Sequence, residues 1–211
     1  MKKIQWYFDF LSPFAYFQLQ QFNQLPADVE VEFKPTLLAG LLKHWQQKGP
    51  AEIPPKREFT YRYIHWLAKQ QNIPFKMPPE HPFHPLKTLR LAIACRSSYQ
   101  SVHAIFDYLW NAGYSQDDAT QWELLCRKLD VTDWQQAVAS DNVKQELRSN
   151  TDEAIARQVF GVPTFVCDEK IFWGFDAFPM LLDYLQNGDM FDDEENARLE
   201  QLPEGVQRKI D

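Results

Sequence analysis

The chain opens on an alternating, aromatic-rich run, Ile4 to Phe10, that only Asp9 interrupts with a charge. A period of two with this composition predicts a strand. Ser12-Pro13 follows. Proline suits the first helical turn, where its missing N–H would be unpaired anyway and its φ is already helical. The run behind it predicts a helix over residues 14–25. DVEVEFKP, residues 28–35, sets Val29, Val31 and Phe33 against charged neighbours, a second strand closed by proline. A helical crossover of this length makes the two strands parallel and their connection right-handed.

From residue 37 to 158 the pattern turns helical. TLLAGLLKHW opens a helix, GPAEIPPKREF breaks it with three prolines, and TYRYIHWLAKQQN is helical again. PFKMPPEHPFHPL, residues 74–86, is a proline-punctuated loop that cannot hold regular helix. Further helices are predicted over 87–112, over 117–129 with Ser115 or Gln116 near the start, over 133–140 with Thr132 as N-cap, and over 141–159. Strands return in PTFVCD and KIFWGF, a hairpin turning at Asp168-Glu169, and FPMLLDYLQNG is a closing helix stopped by Gly188. The acid-rich stretch after it fits a short amphipathic helix or a mobile tail, and no repeat of fixed period occurs.

The order is therefore βαβ, a helical block, then ββα. That is an α/β layout, a thioredoxin-like fold carrying a large all-helical insertion. It assigns residues 1–36 and 156–187 to the thioredoxin-like domain, 37–155 to the helical insertion and 188–211 to an acidic C-terminal tail.

Composition narrows the class. With 211 residues, 45% hydrophobic and seven Trp, the chain can bury a sizeable core. A net charge of −7 without a basic stripe argues against nucleic acid. MKKIQWYFDF does not read as a signal peptide, and no stretch approaches the ~18 apolar residues of a membrane span. Cys95, Cys126 and Cys167 are odd in number and form no C-x-x-C, so neither a redox dithiol nor a zinc site is signalled. Free thiols fit a reducing cytoplasm and small buried apolar positions. No cluster has metal-ligand spacing, and His44, His65 and His103 stand isolated on helices.

Two places carry candidate chemistry. Ser12 sits where a helix N-terminus presents unpaired N–H groups and a partial positive charge, a setting that stabilises an anion. Taken alone it reads as an ordinary N-cap. The second place is Gly161-Val162-Pro163, where proline opens a strand without the donor a central strand uses. Aromatic residues around Ser12, Phe14 among them, suit an apolar pocket or a packed core alike.

FDFLSPFAY, with FGVPTFV and FWGFD far downstream, resembles the glutathione-dependent 2-hydroxychromene-2-carboxylate isomerases and the related kappa-class glutathione transferases. Both belong to the DsbA-like branch of the thioredoxin superfamily, and the likeness runs to about Gln186. Disulfide oxidoreductases of that fold carry C-x-x-C after the first strand. Here those four positions are Ser12, Pro13, Phe14 and Ala15, which excludes dithiol chemistry there. The resemblance implies glutathione as cofactor and Ser12 as the catalytic donor to its thiolate. It implies a cis Pro163 opposite that loop, with the Val162 backbone pairing the tripeptide in β-augmentation style. It further implies Asp176 at the glutamyl end and Lys56 at a glutathione carboxylate, although Phe175 and Ala177 flank that aspartate where relatives carry polar and basic residues. Phe14 and His84 are expected to meet an aromatic substrate. His81 and His84 lie where relatives line the site, yet loop histidines also read as solvent-facing. The implied activity is cis–trans isomerisation of aromatic pyruvate acids through a transient thiolate adduct, as a homodimer. A kappa-like transferase and a redox-inactive binding module stand as alternatives.

Overall fold

The computed structural model describes residues 1–206. The chain runs β1 (Lys2–Phe8), α1 (Pro13–Leu19), a 3-10 turn (Phe22–Gln24) and β2 (Val29–Pro35). Helices α2 (Leu38–His44), α3 (Pro54–Gln70), α4 (Leu86–Ala94), α5 (Tyr99–Phe106), α6 (Ala119–Lys128), α7 (Trp134–Ala139) and α8 (Asp141–Ala156) follow. The hairpin β3 (Thr164–Cys167) and β4 (Lys170–Trp173) then leads to α9 (Phe178–Gln186) and α10 (Glu194–Glu200). The sheet order is β2-β1-β3-β4. β1 is parallel to β2, with Trp6 opposite Phe33, and antiparallel to β3, with Tyr7 opposite Thr164. This is the thioredoxin-like mixed sheet that the strand pattern predicts.

β1 is central, so its alternation buries both faces. Ile4, Trp6 and Phe8 enter the main core, while Tyr7 points the other way among Leu41, Ala154, Val159 and Val166. Trp6 stacks on Phe8 with ring centroids 4.4 Å apart and meets Phe22 and Phe33 edge-on. Each such pair contributes about 0.5–1.5 kcal/mol beyond area burial. On the other face the Tyr7 hydroxyl donates to Glu153 of α8 at 2.9 Å, and Lys34 donates to the same carboxylate at 3.1 Å. α8 also completes the backbone bonding at the end of β2. Asn150 Nδ2 donates to the Pro35 carbonyl at 3.2 Å, and the Leu37 N–H donates to Thr151 Oγ1 at 3.1 Å. These buried groups therefore need no water.

Several helix boundaries differ from the pattern's prediction. The first helix stops at Leu19 rather than continuing to Leu25. The run 87–112 divides because Arg96 and Ser97 adopt left-handed φ of 58° and 46°, after which Ser98 caps α5 by accepting from the Ser101 N–H at 3.2 Å. α5 then passes into a π turn at Asp107–Asn111. Asp118 caps α6, and Asp133 rather than Thr132 caps α7, since a carboxylate there reaches the Gln136 N–H at 3.1 Å. α8 ends at Ala156, short of Val159. The acidic tail contains α10, and its residues 207–211 lie outside the described residues. Cys126 and Cys167 are buried and Cys95 half-buried. Among the described residues no helix is long and apolar enough to cross a membrane, and no cluster of His, Cys, Asp and Glu is arranged to hold a metal.

Candidate functional site

Strand directions bring the two candidate stretches to one edge. Tyr7 pairs with Thr164 and Thr164 with Trp173, so the exit of β1, the entry of β3 and the exit of β4 share one end of the sheet. Ser12 therefore lies at the same end as Val162-Pro163 and Asp176.

Ser12 is the N-cap of α1, with extended φ −92° and ψ 113°, and its Oγ accepts from the Ala15 N–H at 3.3 Å. The hydroxyl proton has no acceptor among the described residues. Capping uses only the oxygen's acceptor side, so capping and donation to an incoming group are compatible. Ser12 is only 7% exposed, and Phe14 beyond it is half-buried, its ring 6.1 Å from that of Tyr63 on α3.

The Val162–Pro163 peptide is cis. Val162 is half-buried, and among the described residues neither its N–H nor its C=O forms a hydrogen bond. Pro163 is anchored instead, its carbonyl accepting from the Gly174 N–H at 2.9 Å. Gly174 has φ +92°, and a Cβ there would meet Asp176 Oδ1 at 2.6 Å, so glycine both permits the turn and leaves room for the carboxylate. The Gly174 carbonyl accepts from Gln18 Nε2 at 2.9 Å, and Gln18 Oε1 accepts from the Trp6 indole at 2.6 Å. A buried amide thus locks α1 to the exit of β4. Asp176 itself is exposed in a 3-10 turn.

Lys56 is exposed near the start of α3 with no ion-pair partner among the described residues. The His84 side chain is exposed, while its carbonyl accepts from Gln116 Nε2 at 2.6 Å. His81 is not the solvent-facing loop histidine that its context suggests. Its ring lies between α3 and the serine loop, with Nε2 2.9 Å from the Leu11 carbonyl and Nδ1 2.8 Å from the Tyr61 hydroxyl. Burial pushes its pKa below the ordinary imidazole value against the opposing pull of the Leu11 bond.

Asp9 is a further buried group. Fully buried, it accepts from the Leu11 N–H at 3.0 Å and the Leu38 N–H at 2.9 Å. Burial raises its pKa to about 7 despite those two bonds. Its signal in the sequence is the charge set inside FDF, an apolar run that otherwise reads as core. Gln18, His81 and Tyr61 carry no comparable signal, because their partners lie far away in the chain.

Residues 3–186 match the family model described as a DSBA-like thioredoxin domain. The chain belongs to that family. This DSBA-like chain is 27% identical over 206 residues to glutathione S-transferase kappa 2 of Caenorhabditis elegans, covering 87% of the chain and 92% of the relative. It is 26% identical over 185 residues to a 2-hydroxychromene-2-carboxylate isomerase of Pseudomonas sp. strain C18, covering 84% and 87%. A solved 2-hydroxychromene-2-carboxylate isomerase superposes with TM-score 0.77 over 93% of this chain and 98% of its own, at 23% identity, a likeness of fold. Within the DSBA-like scaffold the Ser-Pro-Phe-Ala turn leaves no thiol at the head of α1. Cys167 lies at the opposite end of β3, its thiol pKa raised by burial.

Proposed function

We propose that this chain is a glutathione-dependent isomerase of the 2-hydroxychromene-2-carboxylate isomerase type, with the sulfur supplied by glutathione. The observation that carries this reading is the state of Ser12, whose hydroxyl keeps an uncommitted proton at the head of α1 where relatives with C-x-x-C hold a thiolate. A serine hydroxyl stays neutral near neutral pH and so acts by donation to another group's anion. Lowering a thiol pKa from about 8.5 to about 6.5 takes roughly 2.7 kcal/mol. One charge-assisted hydrogen bond together with a helix terminus supplies about that much.

The unpaired Val162 peptide supports a docking edge for the cysteinyl part of glutathione, as in strand addition. Pro163 shapes that edge, Asp176 faces the glutamyl end, and Lys56 meets a glutathione carboxylate. The reaction is balanced without a further reactant. Bound there, glutathione would supply a sulfur nucleophile that is regenerated at the end of the isomerisation, and Ser12 would hold that sulfur by donating its hydroxyl proton. Phe14 and His84 border the aromatic substrate. The same reading takes the chain as a cytoplasmic homodimer with residues 37–155 as an insertion into its thioredoxin-like domain, in keeping with its free thiols.

A kappa-type transferase is the second reading, favoured by the kappa 2 relative at 27% identity. It differs in the product, in which the sulfur of glutathione would replace a halide on the electrophile. Turnover of ring-opened aromatic pyruvates against halogenated aromatics, with glutathione present and absent, separates the two. Ser12→Ala is expected to lower turnover at least about tenfold, a loss of ~1.4 kcal/mol in transition-state stabilisation. Undiminished turnover in the folded variant rejects the role of Ser12.

A further inference from the structure

The serine loop is held through its peptide groups rather than its side chains. The Leu11 N–H donates to Asp9 Oδ1 at 3.0 Å, and the Ser12 N–H donates to the Asp9 carbonyl at 3.0 Å. The Leu11 carbonyl accepts from His81 Nε2 at 2.9 Å. Both ends of the Leu11–Ser12 peptide are thus engaged. The holding groups are themselves anchored in the helical segment between β2 and β3. Asp9 Oδ2 accepts from the N–H of Leu38, the first residue of α2, at 2.9 Å, and the His81 ring abuts Tyr61 of α3.

The proton positions follow from the partners. A carbonyl only accepts, so His81 Nε2 carries the hydrogen and Nδ1 of the neutral ring accepts from the Tyr61 hydroxyl. Tyr61 Oη also lies 2.7 Å from the His81 carbonyl, a second acceptor that keeps the phenol beside the ring. Burial favours that neutral ring. Among the described residues Asp9 has no cationic partner, and its two acceptor bonds there are to backbone alone.

We propose that His81 and Asp9 are positioning residues: His81 holds the Leu11–Ser12 peptide at its carbonyl, the Asp9 carboxylate holds the adjoining Phe10–Leu11 peptide at its N–H, and together they aim the Ser12 hydroxyl at the glutathione sulfur. The inference rests on the proposed role of Ser12. Neither group touches the reacting atoms. Hydrogen-bond strength falls steeply with misalignment, so rotation of this one peptide weakens the donor while leaving the glutathione-binding edge at Val162 in place.

The test compares His81→Leu, which deletes the donor, with His81→Gln, whose amide N–H takes the place of Nε2. Two readouts are taken, amide hydrogen exchange at Leu11 and Ser12 without glutathione, and ultraviolet titration of bound glutathione. His81→Leu is expected to speed Ser12 exchange about tenfold. It is also expected to raise the bound thiol pKa by about one unit while the glutathione dissociation constant moves less than about threefold. His81→Gln restores both towards wild type. Unchanged exchange and thiol pKa in His81→Leu, or a glutamine variant indistinguishable from leucine, overturns the proposal. Should His81→Leu fail to fold, Tyr61→Phe releases Nδ1 without removing the ring. It is expected to shift both readouts in the same direction, and no shift overturns the proposal. A wild-type protein whose bound glutathione shows no lowered pKa refutes the reading of Ser12, whereas the exchange measurements decide the peptide clamp without glutathione.

Discussion

Asp9→Asn tests the buried carboxyl through the pH dependence of stability. Asp9 is fully buried without a cationic partner among the described residues, and its pKa rises from 3.8 to about 7. A folded-state pKa raised above the unfolded one favours the folded state at low pH. That contribution is fully present below about 3.8 and is lost as pH rises through about 7. Each unit between those limits costs about 1.4 kcal/mol. From about pH 5 to about pH 8 the wild type therefore loses roughly 2–3 kcal/mol through this one group, the slope flattening once the folded carboxyl titrates. Asparagine cannot titrate, and it also turns its amide NH2 towards one of two N–H groups that now share a single acceptor. Its whole stability curve is consequently lowered, but without the Asp9 slope. Urea denaturation at several pH values measures both curves. Parallel curves for wild type and Asp9→Asn across that range refute the account of Asp9 as an unpaired buried acid.

Gly174→Ala forces a Cβ into left-handed backbone and against the Asp176 carboxylate, and is expected to cost about 1–2 kcal/mol. Thermal denaturation reads that loss and glutathione titration reads the displaced Asp176, so wild-type values in both contradict the assigned geometry. Glu153→Ala removes the acceptor of the Tyr7 hydroxyl and one partner of Lys34, and is expected to destabilise by about 1–3 kcal/mol in urea. A change below about 0.5 kcal/mol indicates that water replaces the lost acceptor.

The strands were legible because their signals are local. Alternation in residues 4–10 and 28–35 and the Asp168-Glu169 turn mark elements that the structure places within a residue or two of expectation. The break between α4 and α5 was not, because CRSSYQ contains neither glycine nor proline, and the left-handed positions fall on Arg96 and Ser97, residue types that do not announce them. Ser12 was visible as a hydroxyl before proline. What holds it was not, since Asp9 meets Leu38 and Leu11 meets His81 only after the helical segment folds back on the sheet. A histidine set between Glu80 and Pro82 in a proline-punctuated loop does not show that its ring will turn inward onto the Leu11 carbonyl.

The central claim, that Ser12 holds the sulfur of glutathione, is tested most directly by an ultraviolet thiolate titration of glutathione bound to the wild type and to Ser12→Ala. Wild type is expected to ionise bound glutathione at least about one pH unit below free thiol, and the variant to lose this shift. Equal ionisation in the two proteins, or no bound thiolate in either, contradicts it and leaves Ser12 as the cap of α1 alone.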